Sequence, residues 1–290
     1  LMHLYLGIDF GTTGVRTSVI NEKKEELINY SVSIESPISK GSLVYQNPNL
    51  WWDALLKNFH YLKLKINLED IKRLSIDGTS GTVLITNELG DPIDHALMYN
   101  DASSVKEAEY TEVISSGHPI VSSPTNALVR ALALIKKNST ESYKILHQAV
   151  WIASKIIGEF KFSDENNALK LGYDCQNRMW PTWFEKLPIN QDSLPEILIP
   201  GQVMGTLNNK DLLDLGFSRD LEIVAGTTDS IAAFLATGAS QIGEAVTSIG
   251  TTLVVKAISQ EPIFNKEFGI YSHRLGNRWL AGGASNVGGK

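Results

Sequence analysis

Residues 5–20 read YLGIDFGTTGVRTSVI, two apolar runs separated by Gly11-Thr12-Thr13. The tripeptide returns as Gly226-Thr227-Thr228 and as Gly250-Thr251-Thr252. Residues 5–9 and 245–249 are short strand-like runs, and second apolar runs follow at 15–20 and 253–257. The first and third copies therefore share one unit: strand, Gly-Thr-Thr turn, strand. Glycine permits a tight turn and close backbone approach, while successive N–H groups and threonine hydroxyls form a concavity for phosphate oxygens. Two such hairpins can grip one polyphosphate from opposite sides. Asp9, at the end of an otherwise apolar strand, would face the same cavity and suits Mg²⁺, and Arg16 can add a bidentate phosphate contact. Taken singly, each Gly-Thr-Thr is an ordinary turn and Asp9 a turn-capping carboxylate. The duplication, with Asp9 and Arg16 alongside, favours the phosphate site.

The chain has 290 residues, 43% of them hydrophobic, enough for one large or two ordinary domains with a proper core. Its formal net charge is -6 with acids and bases mixed and no basic tract, which disfavours binding driven by nucleic-acid phosphates. Cys175 is the single cysteine, so neither an internal disulfide framework nor a cysteine-rich zinc site is expected. No apolar leader or spanning run is apparent. A cytoplasmic protein with no membrane partner is expected, as monomer or homodimer.

Strands are predicted at 4–9, 15–20 and 26–34, followed by a helix over 50–64 behind Asn47-Pro48-Asn49. Further strands are predicted at 71–76 and 82–86, joined by Asp77-Gly78-Thr79-Ser80-Gly81, and then helices at 127–135 and 142–157. A polar loop is expected at 163–167, a strand at 221–225, a helix at 230–236 and a last strand at 279–284 that could remain disordered. Alternating strands and helices indicate an α/β architecture. The junction at 226/227 is the expected domain boundary, leaving 1–226 and 227–290.

Asp229 has two readings. At the start of a helix an acid satisfies N–H groups and complements the dipole. A carboxylate between two phosphate loops can equally accept the proton of a hydroxyl attacking a γ-phosphoryl group.

The stretches GIDFGTTGVR, GTTDSIAAFLATGA and TSIGTTLVV resemble the first phosphate loop, catalytic-aspartate motif and second phosphate loop of the FGGY carbohydrate kinases, in the same order and spacing. YQNPNLWWDAL, MYND and DENNALKLGYD with WPTW extend the resemblance along the whole chain, and SIDGTSGTVL is most similar to the plant and cyanobacterial D-ribulose kinases. The resemblance implies a ribonuclease H-like (actin-like ATPase) α/β fold, with a mixed five-stranded sheet flanked by helices and a second, similar domain that is incomplete. It implies ATP and Mg²⁺ as cofactors, Asp9 at the metal and substrate edge, and Gly11, Thr12, Thr13 and Arg16 with Gly250, Thr251 and Thr252 around the phosphates. Asp229 takes the place of the general base. The sugar is expected at Asp77, Thr79, Ser80, Tyr99 and Asp101. Where xylulose kinases have a Met-His pair this chain has Thr79-Ser80, and Tyr99 stands for their tryptophan, which favours D-ribulose over D-xylulose. Thr79 and Ser80 can also simply shape a turn, and Tyr99 can be packing. An actin- or Hsp70-like ATPase acting on protein partners is the alternative of another class.

Overall fold

The computed structural model describes residues 3–118, 120–139, 141–249, 253–265 and 267–285. In β1 (Leu4–Phe10) the alternate residues Leu4, Leu6, Ile8 and Phe10 are buried, the two-residue period of a strand with one face on a core. It is the centre of a six-stranded sheet with β2 (Gly14–Asn21), β3 (Glu26–Ser33), β6 (Ile71–Gly78), β12 (Val203–Thr206) and β13 (Glu222–Thr228), in the order β12-β13-β6-β1-β2-β3. β1 runs antiparallel to β2 and parallel to β6, and β6 runs parallel to β13. The mixed five-stranded core is as expected, with β12 added antiparallel at its edge.

Helix α1 (Asn49–Lys63) buries Trp51, Trp52, Leu55, Phe59 and Leu62, and α4 (Gln148–Ile157) covers β6 and β13. The two meet where the Trp51 and Trp151 rings pack edge to face at 6.0 Å. A second sheet holds β4 (Ile38–Lys40), β5 (Leu43–Gln46), β7 (Val83–Thr86), β8 (Ala96–Leu97) and β9 (Lys144–His147). Helix α3 (Ala127–Asn138) packs on β7, with α2 (Val105–Ile114) beside it. The short parallel pair β10 (Phe162–Asp164) and β11 (Glu196–Leu198) precedes the small helix α6 (Lys210–Leu215). After α7 (Asp229–Leu235) comes a four-stranded antiparallel sheet of β14 (Ala245–Ile249), β15 (Leu253–Ser259), β16 (Tyr271–Leu275) and β17 (Arg278–Ser285). Ile231 and Phe234 of α7 share a small core with Ile258 and Leu280 of that sheet.

Three expectations are corrected. The stretch 142–157 is not one helix: residues 144–147 are extended and pair with β7, Leu84 opposite Leu146, before α4 begins at Gln148. Ile145, Leu146 and His147 are all buried, and a short apolar run of this kind reads the same for a strand as for a helix. Residues 163–167 are not a loop but the end of β10 and the start of α5 (Glu165–Lys170). Asp164 accepts the backbone N–H groups of Asn166 at 3.0 Å and Asn167 at 2.9 Å, capping α5 from within the core. The last strand does not dangle: β17 is hydrogen-bonded between β15 and β16, and Trp279 is buried against α5 and neighbouring residues.

The middle Gly-Thr-Thr has a separate origin. The pairing of β13 with β6 slips between Val224 and Thr227, and at this bulge a Cβ on Gly226 would lie 1.8 Å from the carbonyl oxygen of Ile76. Only a residue without a side chain lets the strands pair there. We therefore expect Gly226→Ala to cost about 3 kcal/mol or more, read as a lowered urea midpoint at unchanged m-value; a midpoint equal to the parent's would refute the tight approach.

Candidate active site

Parallel register brings the acids together. Asp9 is opposite Asp77 across β1 and β6, and Thr227 is opposite Asp77 across β6 and β13, so the chain leaves β13 and enters α7 at Asp229 beside the same strand ends. Burial, and then the neighbouring Asp9 charge, raise the Asp77 carboxyl from 3.8 to about 8, with Asp9 close enough for one proton to bridge the two side chains. Asp229 is likewise raised, first by burial and then by Asp9. The N–H groups of Ser230 and Ser80 and the positive charge of Lys256 oppose that rise. Three buried polar atoms here have no partner among the described residues: Asp77 Oδ1, Ser80 Oγ and Thr228 Oγ1. Buried polar groups are nearly always hydrogen-bonded, so an unpaired group of this kind at strand ends points to a ligand.

The first Gly-Thr-Thr closes the β1–β2 hairpin, with Gly11 N–H donating to Gly14 C=O at 2.9 Å. Its backbone is fastened from behind. Gln46 donates to the carbonyls of Thr12 at 3.3 Å and Glu35 at 2.6 Å, while the Trp51 indole N–H donates to the Gln46 side chain at 2.7 Å. Ile34 N–H donates to Thr13 C=O at 2.8 Å. The carbonyls of Thr12 and Thr13 are thus engaged, and no described residue bonds to either hydroxyl. Arg16 lies opposite Asp9 with Nη1 3.9 Å from its carboxylate, and both side chains reach solvent. Gly250, Thr251 and Thr252 lie outside the described residues.

The remaining sugar candidates separate. The Thr79 hydroxyl is buried and bonded to Thr82 at 2.6 Å and Gln148 at 2.8 Å, so it holds the loop in shape. Asp101 is wholly buried and accepts from Val44 N–H at 2.7 Å and from the Ser103 hydroxyl at 2.9 Å. Tyr99 is exposed, and its N–H donates to Thr82 at 3.1 Å. Ser80 alone of these lines a cavity of about 220 Å³, with Asn126, Arg130, Lys170 and Tyr271 among its other walls. Sequence reasoning missed those four. Arg130 donates to the carbonyls of Met98 and Gly81, and its Nε has no partner among the described residues. Burial brings this guanidinium down to about 10, against the pull of Asp101. A signal existed: Arg130 and Lys256 are each a single charge set among apolar neighbours, in ALVRALALI and LVVKAIS.

The carboxylates offer hard oxygen donors for Mg²⁺. No described cluster of three His, Cys, Asp or Glu side chains could hold a metal ion. Asp9, with the unpartnered Oδ1 of Asp77, nevertheless suits an ion that keeps most of its waters and takes phosphate oxygens. Among the described residues no helix is long and apolar enough to cross a membrane.

The model of the FGGY family of carbohydrate kinases, N-terminal domain, matches residues 4–236. A xylulose kinase of Staphylococcus xylosus is 22% identical over 280 residues, covering 93% of this chain and 58% of the relative. Two solved structures superpose with TM-scores of 0.89 and 0.88: a xyloylose kinase from Brucella ovis and a gluconate kinase from Lactobacillus acidophilus. Each is 18% identical; the matches cover 99% and 100% of this chain and 61% of each neighbour. The chain spans about three fifths of the length of these relatives.

The crowded acids make a prediction about stability. The folded-state value of Asp77 lies above its unfolded value, so this group's contribution is present in full below about pH 4 and is lost as pH rises through about 8. In Mg²⁺-free buffer the denaturation midpoint should fall between pH 5 and pH 8, and Asp77→Asn should reduce that fall. An Asp77→Asn variant with the parent's full pH dependence would show that Asp77 is ionised at neutral pH in the folded state.

Proposed function

We propose that this chain, which belongs to the FGGY family of carbohydrate kinases, forms the sugar-side part of an enzyme that transfers the γ-phosphoryl group of ATP to a primary hydroxyl of a sugar. The observation that carries this reading is the convergence of Asp9, Asp77 and Asp229 at the ends of β1, β6 and β13, beside a threonine hairpin, with Ser80 lining a neighbouring cavity. In this reading residues 1–226 are the sugar-binding domain and 227–290 the beginning of a second. Asp229 accepts the proton of the attacking hydroxyl, and its raised proton affinity strengthens it as a base. Thr12, Thr13 and Arg16 hold phosphate oxygens, with Gly250, Thr251 and Thr252 opposite. Asp9 and Asp77 hold Mg²⁺. Bound Mg²⁺ and ATP supply the electrophilic phosphoryl group and the charge neutralisation that such transfers depend on.

Within the family we favour a ketopentose, D-ribulose ahead of D-xylulose. The support is the Thr79-Ser80 pair in place of Met-His, with the Ser80 hydroxyl unpartnered at the cavity wall. D-xylulose remains the second reading, because relatives across the length of this chain are xylulose kinases. A panel of ketoses, polyols and aldonates with coupled ADP detection, run on the complete protein, separates them: turnover greatest with D-ribulose is expected, and ADP release independent of any sugar would overturn the kinase reading in favour of an ATPase.

The base role has its own test. Asp229→Asn keeps shape and most hydrogen bonding but removes the proton acceptor, so kcat should drop by about 10² to 10⁴. Sugar and ATP binding should change little, because the lost interaction belongs to the transition state. A kcat within a few-fold of the parent would leave Asp229 only its place in the first turn of α7.

A further inference from the structure

Lys256 is the single charge in β15 and lies on the strand that follows the third Gly-Thr-Thr. Its partner in β17 is Gly282, and a Cβ there would come within 3.1 Å of the lysine Cγ. The missing side chain lets the aliphatic stem lie across the neighbouring strand. At the far end the ammonium donates to the carbonyl of Ser230 in the first turn of α7. The N–H of that same serine donates to Asp229 Oδ1 at 2.6 Å. Ser230 is thus held at its carbonyl by Lys256 and holds Asp229 through its amide. No described carboxylate lies within ion-pair distance of this half-buried ammonium. Its field acts on Asp229 by attraction and on Lys170 by repulsion. A cation withdrawn from water with a backbone carbonyl as its hydrogen-bond partner is costly unless its charge serves something nearby.

We propose that Lys256 is the positioning residue of Asp229: through Ser230 it fixes the first turn of α7, and its positive charge offsets the field of Asp9 at the Asp229 carboxylate. The role rests on Asp229 being the base, and it gives the sheet beyond α7 a direct part in the chemistry of the first.

A double-variant cycle on the complete protein tests it. Lys256→Met should lower kcat about tenfold to a hundredfold, with the sugar KM changed less than about threefold, and Lys256→Arg should recover most of the loss. In an Asp229→Asn background the Lys256→Met change should produce little further loss, because the group it positions can no longer take the proton. Melting temperatures of all variants are read alongside, and Lys256→Gln replaces the methionine variant if that one fails to fold. The proposal is overturned if Lys256→Met leaves kcat unchanged while Asp229→Asn lowers it, if the two losses multiply, or if the loss appears wholly in KM. An Asp229→Asn variant with normal kcat instead removes the base role itself, so the two failures are distinct.

Discussion

Three carboxylates crowded at the ends of adjacent strands are the feature on which the rest of this structure turns. Parallel register leaves no choice: once β1, β6 and β13 align, Asp9 and Asp77 are neighbours and Asp229 follows immediately after the third strand. Burial of Asp77, and then the Asp9 charge beside it, raise the Asp77 carboxyl to about 8. Around them lie polar atoms with no described partner, Ser80 Oγ and Thr228 Oγ1 among them. Buried polar atoms without a described partner cost free energy unless a further group bonds to them.

Such a site needs a stiff frame, and two polar networks provide it. Gln46 ties the first hairpin to α1 by bonding two loop carbonyls while receiving the indole N–H of the fully buried Trp51. On the other side, Asn166 donates to the Thr227 hydroxyl at 2.9 Å and Asn167 to the Asp164 carboxylate at 2.7 Å, securing the strand end just before Asp229. Asp164 itself is pushed up to about 6 by burial, against the hydrogen bonds it receives. Both networks set position through bonds to the loop and strand backbone beside the acids.

Particular residues mark where the sequence was legible. The first hairpin follows from alternation on either side of Gly-Thr-Thr, because burial on one face of a strand forces a period of two. The stretch 142–157 reads as one helix because Ile145 and Leu146 fit a helical stripe as well as a fully buried strand, and only the partner β7 settles the matter. Asp101 looked like a sugar ligand by its place in MYND, yet its oxygens are spent on Val44 and Ser103, bonds to a residue far away in sequence and to one beside it. Gly226 appeared as part of a repeated motif, while its local requirement is the Ile76 carbonyl pressed against it.

By itself, then, the sequence determined the α/β alternation and the first hairpin, since these depend on local periodicity and on glycine where the backbone needs it, and its family resemblance pointed to the three acids. Tertiary structure alone decided which polar residues face the cavity and which are consumed as scaffold. It also decided that Lys256 meets the start of α7, and that Arg130, Lys170 and Tyr271 line one space. The physical reason is that hydrogen-bond satisfaction and electrostatic shift are properties of neighbours in space, and those neighbours come from strands and helices far apart in the chain.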